Sequence, residues 1–215
     1  MDIKAKGITL TAVILLAVTA LFSGIYVGHY VHSPKKIDIS RFHGTYLEHP
    51  RAINQFSLIG ADGKPYTNAN LQGQWTLMFF GFTNCGYLCP TTLAELGKMY
   101  RILENQHIKQ LPQVVMISID PERDNQDKLA NYVTSFHSHF YGARGEEDAI
   151  KKMTHEMGIA YAKILENKGD SNANNYDIQH SGAVILFNPQ GELNAFFTTP
   201  HHADVLAKDY ILLVS

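Results

Sequence analysis

The 215-residue chain contains little sulfur and little charge, with two cysteines, 18% charged residues and a formal net charge of −2. Without a net positive charge or a basic patch, it lacks the electrostatic footprint of a nucleic-acid-binding protein. It also contains no internal repeat and no low-complexity segment. Because 45% of the residues are hydrophobic, the chain can bury a sizeable core, and its length suggests one globular domain plus an attached segment.

The attached segment is N-terminal, where residues 8–27 form an apolar run without a charge. As a helix this run would be about 30 Å long, the thickness of the hydrocarbon core of a bilayer. Lys4 and Lys6 precede it. The one passable site for signal-peptide cleavage follows Ala20, but the apolar run continues beyond it. We therefore predict an uncleaved transmembrane anchor within residues 1–31.

The charges that flank the run do not fix its orientation, because lysines or arginines lie on both sides. A short leading tail usually stays inside, which places the following domain outside. An Arg-rich, Ser-rich organelle transit peptide is absent, and this favours a single-pass protein of the bacterial inner membrane with its domain in the periplasm. Residues 32–50 mix proline, histidine and charge without periodicity, and we interpret them as a tether to a domain at 51–215.

Within the domain, strand-like and helix-like segments alternate. Residues 54–67 predict a hairpin with a turn at Asp62-Gly63, and 182–199 predict a second hairpin. Buried strands are expected at 75–82 and 113–120, and helices at 90–106, 125–136, 146–158 and 203–214. This order is typical of an α/β fold, a layered sheet flanked by helices.

Both cysteines lie in one short stretch, GFTNCGYLCPTTL (81–93), after a central strand and at the start of the next helix. Unpaired amides at a helix N-terminus stabilise a thiolate. Cys85 and Cys89 are therefore candidates for a soft-metal site that selects Cu(I) or Zn(II), or for a redox couple. A structural zinc site normally needs more cysteines, and a disulfide over so short a ring would add little stability. The disulfide nevertheless stays open as an alternative.

A third ligand would have to come from eleven histidines. His180, in DIQHSGAVILF, lies at the mouth of a buried strand, where its side chain could face the loop of another strand. Four other histidines are predicted to lie at the surface, namely His137, His139, His201 and His202.

Three segments of the chain together resemble the Sco/SenC family: FFGFTNCGYLCPTTL, SIDPERD (118–124) and YDIQHSGAVILFNPQG (176–191). The resemblance runs from about Gly44 to the C-terminus. It implies a thioredoxin-like, peroxiredoxin-related fold, and a copper site (Cu(I), Cu(II) or both) formed by Cys85, Cys89 and His180. Asp120 matches an acidic position that the family has near the site. The chain departs from the family in having Gln179 where Asp is frequent, and Gly-Tyr-Leu between the cysteines.

By this resemblance the protein is a metallochaperone that delivers copper to the dinuclear site of cytochrome c oxidase subunit II. Other copper chaperones or thiol reductants are further candidate partners. The alternative is an enzyme, a thiol:disulfide oxidoreductase that uses Cys85 and Cys89 to reduce partner cysteines before metal insertion. Three residues separate the two thiols, whereas the thioredoxin motif has two, and this favours metal binding. The neighbouring Cys89 argues against a peroxiredoxin-like peroxidase, which needs a lone peroxidatic cysteine.

Overall fold

A computed structural model describes residues 13–26, 39–165 and 176–214. The chain divides into two compact units, one that ends at Ile37 and one that begins at Asp38. In the first unit, residues 13–26 form helix α1. None of the helices within these described ranges combines the length and the apolar character needed to cross a bilayer. The span predicted at 8–27 includes residues 8–12 and 27, which lie outside the described residues.

The second unit is built on an eight-stranded mixed sheet with the strand order β1-β10-β9-β4-β5-β6-β2-β3, and a separate sheet of β7 and β8. The strands are β1 Thr45–Arg51, β2 Ser57–Gly60, β3 Pro65–Thr67, β4 Thr76–Gly81, β5 Gln113–Ser118, β6 Phe140–Arg144, β7 Tyr161–Leu165, β8 Tyr176–His180, β9 Val184–Phe187 and β10 Leu193–Phe197. The helices are α2 Leu88–Asn105, α3 Gln126–Thr134, α4 Glu147–Glu156 and α5 Ala203–Val214, with 3₁₀ turns at Ile39–Arg41 and Asn68–Leu71.

Strand β4 forms the centre of the large sheet, and all six of its residues are buried. It runs parallel to β5 and antiparallel to β9. Helix α2 packs against α5, and α3 packs against β6. The loop that leaves the carboxyl end of β4 therefore emerges from a fully buried central strand and leads directly into α2. Cys85 lies in this loop and Cys89 in the first turn of α2.

The structure corrects the predicted boundary of the tether. Residues 45–50, assigned to the tether, belong to edge strand β1, which pairs antiparallel with β10. The partners include Thr45 with Phe196 and Tyr46 with Ala195, and the register then shifts before Arg51. Because an irregular edge strand lacks a strict two-residue alternation of burial, the pattern gave no strand signal.

Strands β6, β7 and β8 were also missed. Strand β6 is only five residues long and contains a glycine and an arginine, so its intrinsic propensity to form a strand is weak. Strands β7 and β8 pair only with each other, and β8 alternates buried Tyr176 and Ile178 with exposed Asp177 and Gln179. The structure therefore places His180 at the end of a strand that the sequence did not predict.

Candidate metal centre

Three side chains that are distant in sequence meet beside the end of β4. Cys85 comes from the loop after β4, Cys89 from the first turn of α2, and His180 from the last position of β8. One ligand atom from each lies within 4.8 Å of the other two, and Cys89 Sγ lies 3.3 Å from His180 Nε2. Within the described ranges, no other group of three or more His, Cys, Asp or Glu side chains converges in this way.

The start of α2 determines where the two sulfurs lie. The helix begins at Leu88, two residues earlier than predicted, and its N-cap residue Tyr87 makes no side-chain capping bond. Instead, the backbone N–H of Cys89 donates to Cys85 Sγ at 3.3 Å. Both thiols are free, so the structure contains the reduced pair and not a disulfide. A sulfur that accepts a helix N-terminal amide is held in place and stabilised as a thiolate.

The two thiols differ in burial and in acidity. Cys89 is fully buried, whereas Cys85 is only partly covered. A hydrogen bond from Cys89 holds the pKa of Cys85 below its ordinary value, and a further hydrogen bond with His180 acts in the same direction. The same bond between the thiols, together with burial, raises the pKa of Cys89. The pair therefore shares one proton, which Cys89 keeps, and Cys85 is the thiolate.

His180 is oriented by packing. Its ring lies 5.8 Å from the ring of Phe79 and 6.0 Å from that of Phe82, measured between centroids. Its Nε2 atom faces Cys89, while its buried Nδ1 atom has no hydrogen-bond partner among the described residues. The ring therefore presents Nε2 to the sulfurs without the usual hydrogen bond on the other nitrogen.

The buried carboxylate of Asp124 fixes the loop that carries Cys85. It accepts hydrogen bonds from the backbone N–H of Thr83 at 3.0 Å and from the Ser118 hydroxyl at 2.8 Å. Lys128 Nζ lies 3.7 Å from it and supplies a compensating charge. Sequence reasoning did not assign Asp124 a role, although it is the last residue of the SIDPERD segment that carried part of the resemblance.

Asp120, the acidic residue expected near the site, is not one of the three converging side chains. It is fully buried and accepts hydrogen bonds from Arg123 Nε and from the Tyr176 hydroxyl, both at 2.5 Å. Tyr176 begins β8, the strand that ends at His180. Asp120 therefore connects to the site through β8.

Of the four histidines predicted at the surface, His139 and His202 are exposed, and His137 is partly covered by packing against Tyr100. The prediction is wrong for His201, which is buried and whose Nε2 donates to the Gly182 carbonyl at 2.8 Å. Burial lowers the pKa of His201. His201 and His202 are adjacent just before α5, and nothing in the sequence indicates that one is buried and the other exposed.

Comparison with known proteins identifies the family. The profile of the family described as SCO1/SenC matches residues 44–214. The chain belongs to the SCO1/SenC family. It is 29% identical to the SCO2-like protein RP587 of Rickettsia prowazekii over 94% of this chain and 93% of the relative.

A plant relative and a plant crystal structure extend the comparison. The mitochondrial protein SCO1 homolog 1 of Arabidopsis thaliana is 36% identical over 70% of this chain, which spans 43% of that longer relative. The crystal structure of Arabidopsis thaliana ScoI with copper bound has 34% identity and a TM-score of 0.66, and the match covers 74% of this chain and 94% of that one. The predicted thioredoxin-like α/β fold is therefore confirmed as the fold of the SCO1/SenC family.

Both departures from the Sco/SenC pattern line one groove beside the three side chains. The groove has a volume of about 500 Å³, and Tyr87 and Gln179 are both part of its lining. Its full lining is Cys85, Gly86, Tyr87, Leu88, Asp177, Ile178, Gln179 and His180. The side chain of Tyr87 is 78% exposed, the largest exposure among the bulky apolar residues described. Asp177 is the one carboxylate of the lining and Cys85 is the thiolate, so both charged groups of the groove are negative.

The donor set selects the kind of ion that fits. Two thiols and an imidazole are soft to borderline donors, which suit Cu(I) and, with the nitrogen ligand, Cu(II). A structural zinc ion would require a fourth protein ligand, and the described residues bring no fourth His, Cys, Asp or Glu to the group. The donor set therefore fits a copper ion, and Cys85 and His180 of that set also line the groove.

Proposed function

We propose that this protein is a copper metallochaperone that binds one copper ion through Cys85, Cys89 and His180. The observation that carries the proposal is the convergence of these three donors within 4.8 Å of one another at the edge of an open groove. The similarity to an Arabidopsis Sco protein described with copper bound supports it.

The arrangement suits a cargo that is passed on. A three-coordinate copper ion that faces a groove can accept a donor from a partner before it loses one of its own. Cys85 and His180 are both partly covered and line the groove, so their bonds to the metal would be the accessible ones. Cys89 is fully buried and would hold the ion until the incoming ligand has bound.

A metal titration tests the binding step. The reduced full chain in detergent is titrated with Cu(I) against a chromophoric chelator, and we expect one tightly bound ion per chain. Cys85→Ala and Cys89→Ala should each abolish tight binding, because a single thiolate and an imidazole compete poorly with the chelator. Unchanged stoichiometry and affinity in the Cys85→Ala, Cys89→Ala double variant would rule out this site.

We propose further that the acceptor is the dinuclear copper site of cytochrome c oxidase subunit II, as the family resemblance implies. The test mixes the copper-loaded chain with the metal-free, reduced copper domain of subunit II and follows the appearance of the dinuclear-site absorption. Transfer that is faster than from an equal concentration of free chelated copper supports the proposal. Equal rates would contradict it.

The unequal thiols favour a second candidate, a thiol:disulfide oxidoreductase. A partly covered thiolate at Cys85 with a buried thiol at Cys89 is the usual arrangement of an attacking and a resolving cysteine. The discriminating measurement is the reduction of an oxidised subunit II fragment by metal-free protein. If no reduction occurs over hours at micromolar concentrations, copper delivery remains the only role.

We also propose that residues 8–27 anchor the protein in a bacterial inner membrane with the second unit in the periplasm. Nine apolar side chains of α1 are 42–70% exposed, which leaves them available to lipid. Within α1, the Thr19 hydroxyl donates to the carbonyls of Leu15 and Leu16. Protease added to spheroplasts should digest the domain, and deletion of residues 1–31 should release it from the membrane fraction.

A further inference from the structure

The β7–β8 hairpin, which carries His180, stands apart from the main sheet. The two strands pair with each other from Tyr161 with His180 to Leu165 with Tyr176, and no ladder joins either to the eight-stranded sheet. In a sheet, ladder hydrogen bonds fix the position of each strand relative to its neighbours. Here the position of β8 relative to the cysteines comes from side-chain contacts and from the short link of residues 181–183 to β9.

Those contacts are concentrated at two points. At the first, Arg123 Nη1 donates to the Tyr176 carbonyl at 2.8 Å, and the Tyr176 hydroxyl donates to Asp120 and, at 3.1 Å, to Glu122. Lys163 of β7 also reaches Glu122, at 3.3 Å. The second point is His180, whose Nε2 lies 3.3 Å from Cys89 Sγ and which also hydrogen-bonds to Cys85.

The first point is a buried and highly polar group. Asp120 is inaccessible, the Arg123 side chain is 14% exposed, and the two form an ion pair. The guanidinium also lies 3.8 Å from the centre of the Tyr176 ring, within cation–π range. Buried charges of this kind tolerate few alternative arrangements, because any displacement leaves a charge or a hydroxyl without a partner. We call Asp120, Arg123 and Tyr176 the clamp.

We propose that the clamp is the positioning device for His180, an inference that rests on the proposed copper site. Tyr176 and His180 lie four residues apart on β8, which places them on the same face and about 13 Å apart along a stiff strand. Histidine ligands are usually oriented by a hydrogen bond on the ring nitrogen that does not face the metal. Since His180 Nδ1 has no such partner among the described residues, the orientation must come from the strand and from the packing of Phe79 and Phe82.

The test that needs no metal compares Tyr176→Phe with Tyr210→Phe. Both remove one hydroxyl from a buried tyrosine, but the Tyr210 hydroxyl donates to the Gln110 carbonyl, far in sequence from the hairpin. In the metal-free reduced protein, the His180 ring protons should lose their nuclear Overhauser contacts to the Phe82 ring in Tyr176→Phe only. Arg123→Lys, which keeps the charge but loses the fork that reaches the Tyr176 carbonyl, should give the same result.

The copper measurement separates this inference from the proposed function. In both clamp variants we expect Cu(II) affinity to fall about tenfold, the usual cost of losing support behind a ligand, with Cu(I) affinity within about twofold of wild type. Failure of the wild-type chain to bind copper would overturn the proposed function. The nuclear Overhauser contacts between the His180 and Phe82 rings, measured without metal, would still test the clamp. Wild-type ring contacts and Cu(II) spectra in both clamp variants would overturn the clamp.

Discussion

The Nε2 atom of His180 lies 3.3 Å from the sulfur of Cys89, although 91 residues separate the two in the sequence. This contact joins the end of the β7–β8 hairpin to the first turn of α2. It gives the two-thiol loop a nitrogen donor, which distinguishes a site able to hold Cu(II) from one that holds only Cu(I).

The first prediction follows from that contact. His180→Ala should leave Cu(I) bound by the two thiols but weaken Cu(II) binding and change its visible absorption, because the nitrogen donor is lost. His202→Ala is the matched control, since His202 is exposed. An unchanged Cu(II) spectrum in His180→Ala would show that this histidine is not a ligand.

The unequal thiols give the second prediction, which concerns alkylation of the metal-free protein. Because the Cys85 pKa is lowered, its thiolate persists as the pH falls below the value at which an ordinary thiol protonates. Iodoacetamide should therefore modify Cys85 first, with a rate that changes little between pH 6 and pH 8. Cys89 is buried and its pKa is raised, so it should react slowly until the protein unfolds. Mass spectrometry of the peptides identifies the modified thiol, and preferential modification of Cys89 would reverse the assignment.

Two glycines beside the site provide the third prediction. A Cβ atom at Gly81 would lie 2.6 Å from the Phe79 ring and 2.9 Å from Cys89 Sγ, whereas one at Gly86 would meet nothing within 4 Å. Gly81→Ala should lower the free energy of unfolding by about 1–3 kcal/mol through overpacking and weaken copper binding. Gly86→Ala, in the loop that follows β4, should change neither quantity measurably. Equal behaviour of the two variants in denaturant titrations would contradict this geometry.

Most of the domain was predictable where one physical signal dominated. Buried apolar runs predicted β4 and β5, and turn residues predicted the β2–β3 and β9–β10 hairpins. Helical periodicity predicted α5 with its observed bounds. These elements bury most of their residues or repeat at a clear period, so local pattern and tertiary environment agree.

The site was predictable only in part. Local sequence was enough to bring Cys85 and Cys89 together, but the place of His180 depends on β8, whose position is set by contacts with the distant segment that contains Asp120 and Arg123. Long-range side-chain contacts of this kind leave no periodic signal. The position of His180 before a buried strand made it a candidate and the resemblance selected it, whereas the contacts of β8 with Asp120 and Arg123 are visible only in the structure.

The fourth prediction concerns pH and the buried His201. Burial lowers its pKa below the ordinary value of 6.5, so the folded protein keeps the ring neutral while the unfolded chain takes up a proton. Stability from this group is therefore complete above pH 6.5 and decreases as the pH falls from there towards the folded pKa. Urea titrations at pH 7.5 and 5.5 should show a smaller loss in His201→Gln, which cannot protonate, than in wild type. His202→Gln should lose as much as wild type, because His202 is exposed. Equal losses in wild type and His201→Gln would show that His201 does not control this pH dependence.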